Sequence, residues 1–183
     1  MKKMNNKGFS LVELIIVIAI MAILAGALAP ALIKYIAKSR RSSDVNNGGT
    51  IQSSMQTALS DETASAYAPY NQTTWTAVPT SVTNSNAGSD DTYWSAVNAD
   101  LSGGLAAFAK IKTTKLAGGT KITSGQFVYM MSSDDAIYIG LQLTPNSFAT
   151  KGASDTGANG VLELIPNLSD QMDGKSTSSR DSI

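Results

Sequence analysis

Lys7-Gly8-Phe9-Ser10-Leu11-Val12-Glu13, followed by an apolar run that reaches Ile33, is the stretch on which the fold turns. Leu14 to Ile33 is 20 residues without an ionisable side chain. As a helix that run is about 30 Å long, the thickness of a bilayer's hydrocarbon core. A charge within such a segment costs about 2.5–3.5 kcal/mol near the bilayer centre, so Glu13 at its edge needs a partner or a task. Ahead of it lies a short basic, polar leader carrying Lys2, Lys3 and Lys7.

Three readings of residues 1–33 compete. A conventional secretory signal would explain the basic start and the small residues at Ala25-Gly26-Ala27 or Ala27-Leu28-Ala29. Its apolar region should run only about 7–15 residues, and Glu13 should not lie inside it. A plain single-span anchor explains the length but gives Gly8, Phe9 and Glu13 no purpose. Nor do the cations settle its orientation, because Lys34, Lys38, Arg40 and Arg41 follow the span while three lysines precede it.

The third reading accounts for all of these residues. Gly8-Phe9, Glu13 and the apolar run resemble the amino-terminal segment of type IV prepilins over roughly the first 33 residues. The resemblance implies that a dedicated peptidase and methylase cuts between Gly8 and Phe9 and methylates the new amino terminus at Phe9. It implies that Glu13 of an arriving subunit meets the Phe9 amine of a copy already in a filament. A contact between Glu13 and its own amino terminus, four residues away on the same helix face, remains open beside it. An unpaired ion in so apolar a medium costs several kcal/mol, which favours some such pairing. Glycine at position 8 suits cleavage, because it lets a protease approach the backbone closely.

Pro30 has no N–H for the carbonyl of Gly26, and its ring crowds that carbonyl. A kink or local melting is expected between the two residues. The resemblance implies an unwound stretch before this proline in filaments.

Beyond Ile33, Val45, Ile51, Met55 and Leu59 fall in one stripe about 120° wide at helical spacing, with Ser, Asn, Gln and Thr around them. That pattern predicts a helix laid on a sheet and ending near Ser60. Gly48-Gly49 costs about 2 kcal/mol relative to alanines, so a second break or bend is expected there. Residues 61–100, rich in Ser, Thr, Asn and Ala with Pro69 and Pro79, read as an irregular connection. A short helix is expected from Asp91 to Leu101, with Trp75 and Trp94 as packing anchors. Gln126–Met131, the turn Ser132–Asp135 and Ala136–Leu143 read as an antiparallel hairpin, and Val161–Ile165 as a third strand closed by Pro166. Leu105–Leu116 fits a helix in its first half and a strand in its second.

The expected fold class is therefore α+β and pilin-like: a long N-terminal helix, half membrane anchor and half amphipathic, on a small antiparallel sheet. The expected divisions are a leader (1–8), the membrane and assembly half of the helix (9–33), its amphipathic half (34–60), an exported globular domain (61–174) and a polar tail (175–183).

The composition excludes much chemistry. The 183 residues contain no Cys and no His, which removes thiolate nucleophiles, disulfides and imidazole bases and argues against a zinc site. No catalytic triad, phosphate loop or paired-carboxylate motif is present, so no enzyme activity, cofactor or metal is expected. Acids at Asp90-Asp91, Asp134-Asp135, Asp155, Asp170 and Asp173 match no dedicated calcium spacing and read as solvated turns, although some pseudopilins hold calcium in a late loop. Losing the leader leaves 11 basic against 14 acidic residues. That balance, and the lack of aromatics among Lys110, Lys112, Lys115 and Lys121, argue against nucleic acid as a partner.

The expectation is thus a structural subunit of a type IV pilus or pilus-like filament, polymerised through its N-terminal helix. A pseudopilin or competence pilin of a secretion or DNA-uptake system is the alternative. The partners implied are other copies of the chain, the prepilin peptidase, the membrane, and the assembly platform with its ATPase acting indirectly. The expected location is the cell membrane as a single-pass precursor, then an extracellular or cell-envelope filament.

Overall fold

A computed structural model describes residues 9–70, 75–82, 89–116, 121–144 and 161–165. The leader 1–8, the tail 175–183 and the late acids Asp155, Asp170 and Asp173 lie outside the described residues. The chain divides into two compact units, Met1–Lys38 and Ser39–Ile183. Helix α1 (Leu11–Leu59) contributes to both.

In the second unit, α1 buries Asp44, Gly48, Ile51, Ser54, Met55 and Ala58. These positions recur every three to four residues and form one helical face. Ile51 and Met55 are wholly buried, and each contributes about 1.5–3 kcal/mol through its removed apolar surface. Val45 and Leu59, expected in the same stripe, are partly buried and pack against the core from its margins.

The expected break at Gly48-Gly49 is absent: α1 continues through both glycines. Gly48 rests on the sheet, where an added Cβ would lie 3.1 Å from Leu164 Cδ1 and 3.5 Å from Ile139 Cγ2. Its missing side chain lets helix and sheet approach closely. Packing on both sides outweighs the weak helix propensity of the pair.

The sheet is antiparallel and four-stranded, ordered β1 (Thr76–Ala77), β2 (Ser124–Met131), β3 (Ile137–Thr144) and β4 (Val161–Ile165). The hairpin β2–β3 pairs Phe127 with Leu141, Tyr129 with Ile139 and Met131 with Ile137. These residues face the core, as the period-two alternation of a half-covered strand requires. Asp135 sits in the connecting turn at φ 63°, a conformation that Asp tolerates better than most residues. Strand β1 has no counterpart in the sequence pattern. Two residues in a Thr- and Ala-rich stretch give no periodic signal, and only pairing with Tyr129 and Val128 makes them a strand.

The connection to the sheet is more ordered than its composition suggests. Asp61 caps α2 (Glu62–Ser65) by accepting hydrogen bonds from the Thr63 and Ala64 amides. Ser89 caps α3 (Asp90–Asp100). Tyr93, Trp94 and Val97 of α3 enter the core, and Trp94 meets Tyr129 edge-on at a centroid distance of 5.1 Å. The Tyr93 hydroxyl donates to the Met55 carbonyl at 2.8 Å, fixing α3 to α1. Leu105–Phe108 forms the short helix α4, and the chain after it is extended, with a single bridge between Lys115 and Lys121.

Candidate functional site

The first unit is defined by what it leaves uncovered. Every described residue from Phe9 to Ile36 is exposed, and Phe9 is 90% exposed. Leu11, Ile15, Ile18, Ile23, Leu28 and Ile33 all present apolar surface in this way. Helix α1 is long and apolar enough to cross a membrane, and none of its most apolar window is buried within the chain. A helix apolar on all sides requires a lipid or protein environment.

Glu13 is the only ionisable residue between Lys7 and Lys34. Its Oε2 accepts a hydrogen bond from the Ser10 amide at 2.9 Å, one turn back. Ser10-Leu11-Val12-Glu13 has the spacing of a capping box, in which an acid at the third helical position reaches back to the backbone N–H of the capping residue. This arrangement satisfies one of the donors that a helix start leaves unpaired. Sequence reasoning missed this local role, although the Ser-x-x-Glu spacing ahead of an apolar run was its visible signal. The carboxylate thereby faces back toward the amino-terminal end of the helix. Gly8 lies outside the described residues.

Pro30 lies inside α1, and a Cβ added at Gly26 would meet nothing within 4 Å. Among the described residues, nothing packs against this turn to compensate for the hydrogen bond that proline omits.

The cations after the span separate into two groups. Lys34 and Lys38 are exposed residues of the first unit. Arg40 and Arg41 hold the segment after α4: Arg40 Nη1 donates to Thr114 Oγ1 at 3.0 Å and Arg41 Nη1 to the Lys115 carbonyl at 3.3 Å. Further along α1, the Asn47 side-chain amide donates to the Phe108 carbonyl at 3.4 Å.

At the centre of this row is a residue that sequence reasoning missed. Asp44 is completely buried, and its carboxylate accepts from the Lys112 amide at 2.9 Å and the Thr113 amide at 2.7 Å. Two N–H groups of an extended segment would otherwise lack acceptors, and a carboxylate is the strongest acceptor a side chain offers. The signal was present: Asp44 precedes Gly48, Ile51 and Met55 by four, seven and eleven residues, on the face meant for burial. An acid there is a request for donors.

The two core tyrosines hold their protons tightly. Burial pushes the Tyr129 hydroxyl up to about 12, with the charge of Asp90 adding to it. Burial raises Tyr93 as well, reinforced by Tyr129, Tyr70 and Asp135. Both serve as packed, neutral side chains. Among the described residues, no group of three or more Asp or Glu side chains is placed to hold a metal ion.

Comparison with known proteins bears on the first unit. Residues 3–29 match the family described as the prokaryotic N-terminal methylation motif. The chain is similar to the type IV major fimbrial protein FimA of Dichelobacter nodosus, 41% identical over 59 residues, or 32% of this chain and 38% of that protein. It is similar to the fimbrial protein EcpC of Eikenella corrodens, 42% identical over 62 residues, or 34% of this chain and 40% of that protein. The chain spans about two fifths of the length of these curated relatives. No solved structure matches it. The span matched by the methylation motif takes in Gly8, Phe9, Glu13 and most of the exposed apolar helix, and it is in this amino-terminal segment that the chain carries that motif.

Proposed function

We propose that this protein is a structural subunit of a type IV pilus or pilus-like filament. One observation carries the reading: an apolar helical segment, exposed along its length, opens with a single carboxylate. The segment is held in the bilayer as a single-pass precursor. Cleavage between Gly8 and Phe9 removes Lys2, Lys3 and Lys7, and methylation follows at the Phe9 amine. The trimmed helix then leaves lipid for the matching helices of other copies, which bury the surface that the bilayer had covered.

Within the filament Glu13 pairs with the Phe9 amine of a neighbour, relieving two poorly solvated charges at once and setting the axial register. In the precursor the same carboxylate is occupied by the Ser10 amide, which keeps the first turn ordered until a partner arrives. The turn between Gly26 and Pro30, short of one hydrogen bond, is the point at which the helix lengthens or melts on assembly. Residues 61–174 form the exported domain, and its partners other than itself are the peptidase and the assembly platform.

Mass spectrometry of the first peptide of the native protein tests this directly. N-methylated Phe9 at the amino terminus is the expected result. A chain that retains residues 1–8, or one that begins at Leu28, contradicts it.

A further inference from the structure

Among the described residues of the second unit, charge of opposite sign gathers at two levels along α1. At the Arg40–Asp44 level, the tethered segment presents Lys110, Lys112 and Lys115 to solvent beside Arg40, and Lys121 pairs back onto Lys115. Part of this surface is a shallow cleft of about 440 Å³ lined by Arg40, Ala107, Lys110, Ile111, Lys112 and Thr114. Asp44, the acid at this level, is buried with its oxygens taken by backbone amides.

The other end of α1 carries the opposite sign. Asp61 and Glu62 follow closely on its last residue, Leu59. Gln52 donates to the Ile137 carbonyl at 2.8 Å, which brings the exposed turn acids Asp134 and Asp135 to this level. Tyr93 donates to the Met55 carbonyl, which places the first turn of α3, with Asp90 and Asp91, nearby. Among the described residues this end has no Lys or Arg, and Asp100, at the far end of α3, belongs to neither group. Arg40 and Leu59 are 19 positions apart on one helix, which is about 28 Å at 1.5 Å per residue.

We infer that the Arg40/Lys110/Lys112 face is a docking surface for a second copy of this chain, taking the acidic Glu62/Asp134 end of a subunit displaced by about 28 Å along α1. The contact joins two different patches. A head-to-tail contact of that kind propagates as an open filament and does not close into a dimer. Charge complementarity sets which copies meet and in what order, while the apolar helix supplies most of the attraction. The inference rests on the filament reading and adds to it a contact between exported domains.

Charge reversal in the full-length chain tests it, with surface fibres counted by electron microscopy and folded protein in the membrane measured by protease resistance. All the altered side chains are exposed, so the fold should survive. Lys110→Glu with Lys112→Glu is expected to lower the fibre count about tenfold, as is Glu62→Lys with Asp134→Lys, because like charges then face each other. The chain carrying all four changes is expected to regain fibres, because complementarity returns with its polarity swapped. Because the protein has no cysteine, Lys112→Cys with Asp134→Cys should also yield a ladder of oxidised oligomers from assembled fibres.

If either reversed pair makes as many fibres as the parent, the docking surface is refuted and the filament reading stands. If only the lysine reversal lowers the count and the fourfold change does not restore it, the basic face serves a membrane or another anionic partner, and the inference fails. If the parent chain itself makes no fibres, the proposed function fails first.

Discussion

Replacing Asp44 with alanine removes the acceptor for two backbone amides without altering any surface charge, and its cost can be worked from the structure. The Thr113 amide is buried, and leaving it unpaired costs about 1–3 kcal/mol. The Lys112 amide is only part-buried, so water recovers some of its loss, and its share is smaller, about 1 kcal/mol. The sum is about 2–4 kcal/mol, a large part of the roughly 5–15 kcal/mol that separates a typical domain from its unfolded state. Asp44→Asn keeps one oxygen and turns an N–H₂ toward the second donor, so it should lose about half as much. Urea titration of the full-length protein in detergent micelles, followed by tryptophan fluorescence, reads the effect through Trp94 against Tyr129. With a slope of about 1–3 kcal/mol per molar urea, the alanine variant should unfold about 1–2 M earlier, with asparagine between it and the parent. Hydrogen exchange at the Thr113 amide should quicken in the same order. An alanine variant whose midpoint stays within about 0.2 M of the parent would refute the reasoning, because even a loss of about 2 kcal/mol moves the midpoint several times further.

Four further outcomes follow from the same geometry. Glu13→Val should leave membrane insertion and processing intact and abolish filaments; Glu13→Gln, which keeps a capping acceptor without the charge, should also fail, and normal fibres from it would reduce Glu13 to a helix cap. Gly125→Ala should cost about 1–3 kcal/mol in a chemical melt, because its Cβ would lie 2.6 Å from Leu143 Cδ2 and 2.8 Å from Ile111 Cδ1. Thr113→Val should be neutral or slightly stabilising in that melt, since the buried Thr113 hydroxyl has no hydrogen-bond partner among the described residues and valine matches its shape. Stability should be level below about pH 10 and fall as pH rises toward about 12: unfolded tyrosines release their protons near 10 while Tyr129 and Tyr93 hold theirs, so the unfolded state binds fewer protons in that window. Tyr129→Phe should lessen this alkaline loss and leave the share that Tyr93 carries, and a parent whose stability stays level up to about pH 12 would refute the reasoning.

Strong periodicity made most of the scaffold legible in advance. The hairpin from Ser124 to Thr144 and the strand Val161–Ile165 were visible because strand residues alternate and turn residues separate them. The end of α1 at Leu59 lies within a residue of where its apolar stripe stopped. What the sequence concealed was set by contacts between distant segments. Gly48 reads as a helix breaker until the sheet is seen to need the space, and Thr76-Ala77 is a strand only because β2 offers it partners. Asp44 and Ser54 sit on the buried face although neither is apolar, so a stripe drawn from hydrophobic residues alone is displaced toward Val45 and Leu59. At the amino terminus the relation is reversed. There the residue types suggested the proposed pairing of Glu13 with a neighbour, while the contact seen within the chain is the local one with the Ser10 amide.

Most of the tethers between α1 and the segment after α4 grip main chain. Asp44 takes two peptide N–H groups, Asn47 and Arg41 take peptide oxygens, and Arg40 takes the side chain of Thr114. Peptide groups are the same whatever residue carries them. Substitutions at Lys110, Lys112 or Lys115 can therefore change the outward character of this face while its fastening stays intact, and only proline at 112 or 113 would remove a donor. A surface fixed in this way can change its sequence without coming loose.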